Sequence, residues 1–163
     1  MSRLDSFIRR LEAQRACLGH VAGLVRGLDG PVAELGLGNG RTYDHLRELL
    51  PERRILVFER HPAAHPDSMP PADLLVVGPL EDTLPGALRQ LGEPAALVHS
   101  DIGTGDEAAN ARMAAWLSRH LPPLVRPGGV VLSDQPLVAV ELLALPLPQG
   151  VPAGRYFLYR RAA

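Results

Sequence analysis

Three glycines at alternate positions, Gly36, Gly38 and Gly40, interrupt the chain where an apolar run ending in Glu34 gives way to a helix-like segment, Thr42 to Leu50. A second apolar run, Ile55 to Phe58, follows and ends on Glu59. Glycine lets a backbone turn sharply and approach a ligand with no Cβ in the way. The helix start behind the turn offers unpaired N–H groups to a carboxylate or phosphate. Strand, glycine turn, helix and acid-tipped strand make the first half of a nucleotide-binding βαβ unit. Glu59 at the tip of the second strand is placed to accept hydrogen bonds from both hydroxyls of a ribose.

Spacing decides between ligands. A dinucleotide fingerprint, G-x-G-x-x-G/A, needs a small third residue for close helix–strand contact. Counted from Gly36 that position is Arg41, and from Gly38 it is Tyr43; both are bulky. The pattern that fits is E-x-G-x-G-x-G, on Glu34, Gly36, Gly38 and Gly40. It resembles motif I of the class I S-adenosylmethionine-dependent methyltransferases. Glu59, nineteen residues after Gly40, resembles their ribose-binding acid.

At 163 residues the chain is read as one domain, with residues 1–30 as a helical cap and 31–163 as the cofactor-binding core. A net charge of −1 leaves no bulk electrostatic footprint for nucleic acid or anionic membrane. All 17 basic residues are arginine, which excludes Schiff-base and P-loop lysines. The single Cys17 has no internal disulfide partner. Charge in MSRLDSFIRR stands where a signal peptide would need its apolar core. The apolar stretch Leu137 to Pro148 is too short to span a membrane. A cytoplasmic location is therefore expected.

Residues 4–28 carry apolar positions at three- and four-residue steps and read as a helix, with Gly19 and Gly23 allowing a break. Four prolines between Pro62 and Pro71 forbid a long helix there, so His61 and His65 are expected on a surface loop. Strands are expected at Asp73 to Gly78 (buried), at Ala95 to Ile102, and at VVLSD. A short helix is expected at Thr83 to Leu91 and a longer one at Asp106 to Leu121, capped by Asp106 or Thr104. Another helix is expected to end at Arg126-Pro127-Gly128-Gly129, and Val138 to Leu147 and Arg155 to Arg161 to close the sheet as an antiparallel pair. The helix-turn-strand before VVLSD and the closing pair extend the methyltransferase resemblance over about residues 31 to 161. The whole resembles a small bacterial family of single-domain proteins assigned as methyltransferases by fold and cofactor motif.

The expected fold is thus α/β: a Rossmann-like, mostly parallel seven-stranded sheet with helices on both faces and an antiparallel C-terminal edge pair. Ligands bind such sheets at the carboxyl ends of the strands. The resemblance implies S-adenosyl-L-methionine contacts from Glu34, Gly36, Gly38, Asn39, Gly40, Arg41 and Thr42. It implies others from Glu59 and Arg60, from Gly78 and Leu80, and from Ser100 and Asp101. Pro79 stands where many relatives carry an acid for the adenine amino group.

Methyl transfer from a sulfonium is an in-line displacement that needs alignment and a dry pocket more than acid–base apparatus. His99, Asp101, Asp134 and Gln135 are the candidates for a base or a Mg²⁺ site, should the nucleophile need one to shed a proton. Cation-dependent catechol-type O-methyltransferases hold Mg²⁺ with one Asp after strand four and an Asp-Asn pair after strand five. Asp101 and Asp134-Gln135 match with Gln in place of Asn, and no metal is assigned. No Asn-Pro-Pro-Tyr or Asp-Pro-Pro-Tyr motif points to nucleic-acid bases. The expected partner is a small-molecule acceptor, with a homo-oligomer open. Two alternatives stand beside the enzyme: a non-catalytic S-adenosylmethionine-binding module, and an NAD(P)-binding oxidoreductase, which lacks a lysine for a Tyr-Lys pair.

Overall fold

The computed structural model describes residues 2–163. Its centre is a seven-stranded sheet: β1 (Val32–Leu35), β2 (Ile55–Glu59), β3 (Leu75–Val77), β4 (Ala95–Ser100), β5 (Val125–Ser133), β6 (Leu142–Leu145) and β7 (Phe157–Arg161). The spatial order is β3-β2-β1-β4-β5-β7-β6. The first five strands are parallel; β7 runs antiparallel between β5 and β6. The described residues also form five α-helices: α1 (Arg3–Val25), α2 (Arg41–Leu49), α3 (Leu80–Thr83), α4 (Ala87–Leu91) and α5 (Glu107–His120). This is the expected α/β sheet, mostly parallel with an antiparallel C-terminal edge.

Central parallel strands are covered on both faces and so read as continuous apolar runs. β1 and β4 are buried at every position. On one face Val32, Val57, Leu97 and Val130 pack under Cys17, Leu18, Val21 and Val25 of α1 and Leu46 of α2. On the other, Ala33, Leu56, Val98 and Val131 pack under Leu91 of α4 and Leu117 of α5. Each such Leu or Val contributes about 1.5–3 kcal/mol of burial, which locks the strand tips into register. Glu34 consequently lies beside Val57 on one side and His99 on the other, and Ser100 beside Ser133.

Several local expectations give way to packing. α1 runs unbroken through Gly19 and Gly23 because both sit on its exposed side, while the opposite face anchors the helix in the core. A capping box of Ser2 and Asp5 starts it. The Asp73–Gly78 segment is a 3₁₀ turn (Ala72–Leu74) followed by the edge strand β3. It is half-buried with Val77 exposed, since an edge strand has one neighbour. Thr83 to Leu91 is split by a 3₁₀ turn at Leu84–Gly86, which holds Pro85. No helix ends at Arg126-Pro127-Gly128-Gly129: α5 stops at His120, and those residues form a bulge within β5. Gly129 permits it, for a Cβ there would lie 2.9 Å from the Arg126 carbonyl and 3.1 Å from that of Ala95. Of Val138 to Leu147 only Leu142–Leu145 is strand. Among the described residues no helix is long and apolar enough to cross a membrane.

Candidate functional site

The glycine turn joins β1 to α2 at the carboxyl edge of the sheet, and its three glycines do different work. All have positive φ: +89° at Gly36, +51° at Gly38 and +83° at Gly40, where a Cβ would be strained. At Gly36 a Cβ would come 2.9 Å from both the Asp101 carbonyl and Ile102 Cγ2, so this glycine lets the turn lie against the loop after β4. At Gly40, the N-cap of α2, a Cβ would strike Ser68; the proline-rich segment packs there, behind the turn. At Gly38 nothing lies within 4 Å. That space is cavity.

Glu59 ties the turn to the neighbouring strand. Its Oε2 accepts from the backbone N–H of Leu37 at 2.8 Å and Gly38 at 3.2 Å, and its Oε1 from His61 N–H at 2.9 Å. Burial, the largest influence, pushes its pKa up. The N–H groups of His61, Leu37, Gly38 and Arg60 together outweigh burial and hold the carboxyl below its ordinary value. It is therefore an anion with lone pairs left over for a ligand's hydroxyls.

Glu34 points inward. It is fully buried, accepting from Thr42 Oγ1 at 2.5 Å and from His99 Nδ1 at 2.7 Å. His99 faces the α1 side of β4, one pleat on from Leu97. Burial would lower its pKa. The Glu34 carboxylate in contact, with Asp101 and Asp134 beyond, more than reverses this and raises it. The pair thus fastens the first turn of α2 to β4 from beneath.

At the end of β4, Asp101 accepts from the Gln14 side chain of α1 and lies 3.7 Å from Arg10. Across from it, after β5, Asp134 accepts from Gly103 N–H at 2.7 Å and Ile102 N–H at 3.4 Å. Burial, and then the Asp101 charge, raise the Asp134 pKa against those hydrogen bonds. Tyr156, almost fully buried, is likewise raised, first by burial and then by Asp101, with Arg10 opposing.

Three cavities meet along this rim. One of about 210 Å³ lies between the turn (Gly36 to Asn39, Arg41, Thr42) and Phe7, Arg10, Leu11 and Gln14 of α1. A second, of about 500 Å³, is bounded by Gly36, Gly38, Phe58 to His61, Gly78 to Glu81, Ile102 and Met113. A third, of about 450 Å³, lies between Asp134, Gln135 and the Pro152–Tyr156 segment. Asp101 lines all three.

Of the residues singled out in the sequence, Gly36, Gly38, Asn39, Arg41, Thr42, Glu59, Arg60, Gly78, Leu80 and Asp101 line the first two cavities. Glu34, Gly40 and Ser100 line none of the three. Glu34 is turned into the sheet, Gly40 faces Ser68, and the Ser100 hydroxyl is buried without a partner among the described residues. Asp134 and Gln135 reach the third cavity beside Asp101, and among the described residues no third acid, histidine or cysteine joins the two aspartates in a group that could hold a metal. Sequence reasoning missed Gln14, Arg10 and Phe7 of α1, Ile102, Met113 and Tyr156. The available signal was the Arg10–Gln14 step of four, which sets two polar residues on one side of α1.

The profile of a family described as S-adenosyl-L-methionine methyltransferase matches residues 1–161. A crystal structure of an S-adenosyl-L-methionine methyl transferase from Silicibacter pomeroyi DSS-3 shares 48% identity with this chain. It covers 99% of each chain, with a TM-score of 0.93. The antibiotic-resistance methyltransferase Kmr is similar in fold at 13% identity, TM-score 0.55, over 90% of this chain and 93% of its own. So is the sugar N-methyltransferase KedS8 from Streptoalloteichus sp ATCC 53650, at 20% identity and TM-score 0.52, over 89% of this chain and 61% of its own. No protein with a curated description matches significantly.

Proposed function

Because this chain belongs to the S-adenosyl-L-methionine methyltransferase family, and is an enzyme that draws its methyl group from that cofactor, we propose how its own residues divide the work. Gly36 to Thr42 and α1 hold the amino-acid end of the cofactor, Glu59 holds the ribose, and Gly78 to Leu80 with Ile102 and Met113 enclose the adenine. A small-molecule acceptor occupies the third cavity. The observation that carries this reading is Asp101, which borders all three spaces and so marks where donor and acceptor meet.

The cradle fits the cofactor on its own geometry. Open space over Gly38 runs into both the smaller and the larger cavity, giving an elongated site with a carboxylate to one side. The larger of these, about 500 Å³, and the third cavity, about 450 Å³, each fall in the range of small-ligand sites, about 300–1,000 Å³. When bound, the cofactor supplies an electrophilic methyl group. The protein supplies position: Glu59 fixes the sugar, the turn fixes the tail, and α1 covers the site from water. Alignment of this kind lowers a barrier by on the order of 7–11 kcal/mol. Glu34 and His99 act from beneath by holding the start of α2 against β4.

A thermal-shift comparison tests the reading. S-adenosylhomocysteine at about 100 times its Kd adds about 2.7 kcal/mol of stability, and NADH adds none. Stabilisation by NADH with no response to S-adenosylhomocysteine sinks the cofactor assignment. Transfer of label from methyl-labelled cofactor to members of a small-molecule library then identifies the acceptor, and a library in which no small molecule is labelled sinks the small-molecule reading.

A further inference from the structure

Three consecutive backbone N–H groups in the loop between β4 and α5 find their acceptors in side chains, not in a strand or helix. Ile102 N–H donates to Asp134 Oδ1 at 3.4 Å, Gly103 N–H to Asp134 Oδ2 at 2.7 Å, and Thr104 N–H to Asn110 Oδ1 at 2.8 Å. Asn110 Nδ2 donates in return to the Thr104 carbonyl at 2.8 Å, and Thr104 Oγ1 to Asn110 Oδ1 at 3.2 Å. The backbone ladder stops just short, where Asp101 N–H donates to the Leu35 carbonyl. From Gly103 to Asp106 the loop is exposed, so apolar burial does little to fix its path. Two side chains do that instead: Asp134, directly after β5, on one shoulder and Asn110 of α5 on the other.

The loop is also a partition. Ile102, Gly103 and Thr104 line the larger cavity, and Gly103 and Thr104 line the third cavity as well. Asp134 lines the third cavity and not the larger one, so it reaches the larger one only through the loop. Gly103 is fitted to this contact: a Cβ there would strike Asp134 Oδ2 and stand 2.7 Å from Gln135 Nε2.

We propose that Asp134 is a positioning residue for the cofactor: by accepting from Ile102 and Gly103 it holds the wall against which the adenine packs. This rests on the cofactor placement proposed above and deepens it. The role is one of shape. Both bonds need only oxygen lone pairs, so Asp134→Asn keeps the shorter one by turning its amide oxygen to Gly103, whereas Asp134→Ala keeps neither. Without them the freed N–H groups turn to water, and the wall is no longer held in one place. A base or a metal ligand would instead need the negative charge, which both substitutions remove.

The test measures S-adenosylhomocysteine and 5′-methylthioadenosine by calorimetry on the full chain, at a temperature where each variant is folded by its thermal scan. Asp134→Ala is expected to weaken both at least about tenfold and by the same factor, since both carry adenine. Asp134→Asn is expected to stay within about threefold of the wild type. Gly103→Ala parts the same contact from the loop side and is expected to match Asp134→Ala. The two together should cost no more than either alone. Arg53→Ala is the control for lost stability, because Arg53 holds the Gly30 and Val25 carbonyls at the amino ends of the strands. It is expected to lower Tm and leave both affinities unchanged. Unchanged affinities in Asp134→Ala overturn the inference, as they do in Gly103→Ala should the first variant not fold. Asp134→Asn as weak as Asp134→Ala also overturns it, since charge and not shape then matters. So does a loss confined to S-adenosylhomocysteine, or an equal loss in Arg53→Ala. Failure of the wild type to bind S-adenosylhomocysteine is a different result, and defeats the cofactor placement rather than the role of Asp134.

Discussion

Substituting the glycines of the turn one at a time separates their roles. Gly36→Ala adds a Cβ at φ +89° and only 2.9 Å from the Asp101 carbonyl and Ile102 Cγ2. The left-handed conformation costs about 1–2 kcal/mol, and overpacking against the loop adds about 1–3 kcal/mol. For a chain of this length each kcal/mol lowers Tm by about 2–4 °C, so Gly36→Ala melts about 4–20 °C early. Gly38→Ala, at φ +51° with nothing within 4 Å, bears the conformational cost alone and melts about 2–8 °C early. Its methyl nevertheless stands in the space assigned to the cofactor. A tenfold loss of affinity, about 1.4 kcal/mol, reduces the stabilisation from a fixed S-adenosylhomocysteine concentration. At 100 times the wild-type Kd it falls from about 2.7 to about 1.4 kcal/mol. Differential scanning fluorimetry with and without S-adenosylhomocysteine reads both quantities. The reasoning is refuted by a Gly38→Ala protein that keeps the full ligand-induced shift, or by a Gly36→Ala protein as stable as the wild type.

Three further outcomes follow from the charged groups around the turn. Glu59→Ala is expected to weaken S-adenosylhomocysteine at least about tenfold in calorimetry, and unchanged affinity removes Glu59 from the ribose. Because the folded pKa of Glu59 lies below its ordinary 4.5, its stabilising effect is present above pH 4.5 and lost as pH falls through the folded value. Glu59→Gln should therefore show a shallower acid limb in pH-dependent unfolding. His99 has the opposite sign: its folded pKa is raised above 6.5. It stabilises fully below pH 6.5, and the effect fades as pH rises through the folded value. Urea midpoints at about pH 6 and about pH 8.5 should drop more in the wild type than in His99→Gln. Equal drops mean the Glu34–His99 pair carries no such linkage.

The parallel sheet was legible because its signals are local. Apolar runs such as Ile55 to Phe58 and Ala95 to Val98 must be buried on both faces. The alternate glycines have one conformational use, and Glu59 ends a strand. Elements misjudged from sequence are those whose local signal is overridden by neighbours: Gly19 and Gly23 do not break α1 because packing on the opposite face holds it, and Arg126 to Gly129 extend β5 because β4 supplies the pairing partner.

What the linear order of residues determined on its own is the strand sequence, the position of the tight turn, and the kind of ligand that E-x-G-x-G-x-G with Glu59 can receive. Tertiary structure alone decided which way the side chains of that motif face. Glu34 turns under the sheet because strand register sets His99 beside it. Gln14 joins Asp101 across 87 positions of chain, and Tyr156 enters the third cavity because β7 folds back between β5 and β6. Period and turn chemistry act over a few residues and can be read in order, whereas a contact between distant residues exists only once whole faces have packed.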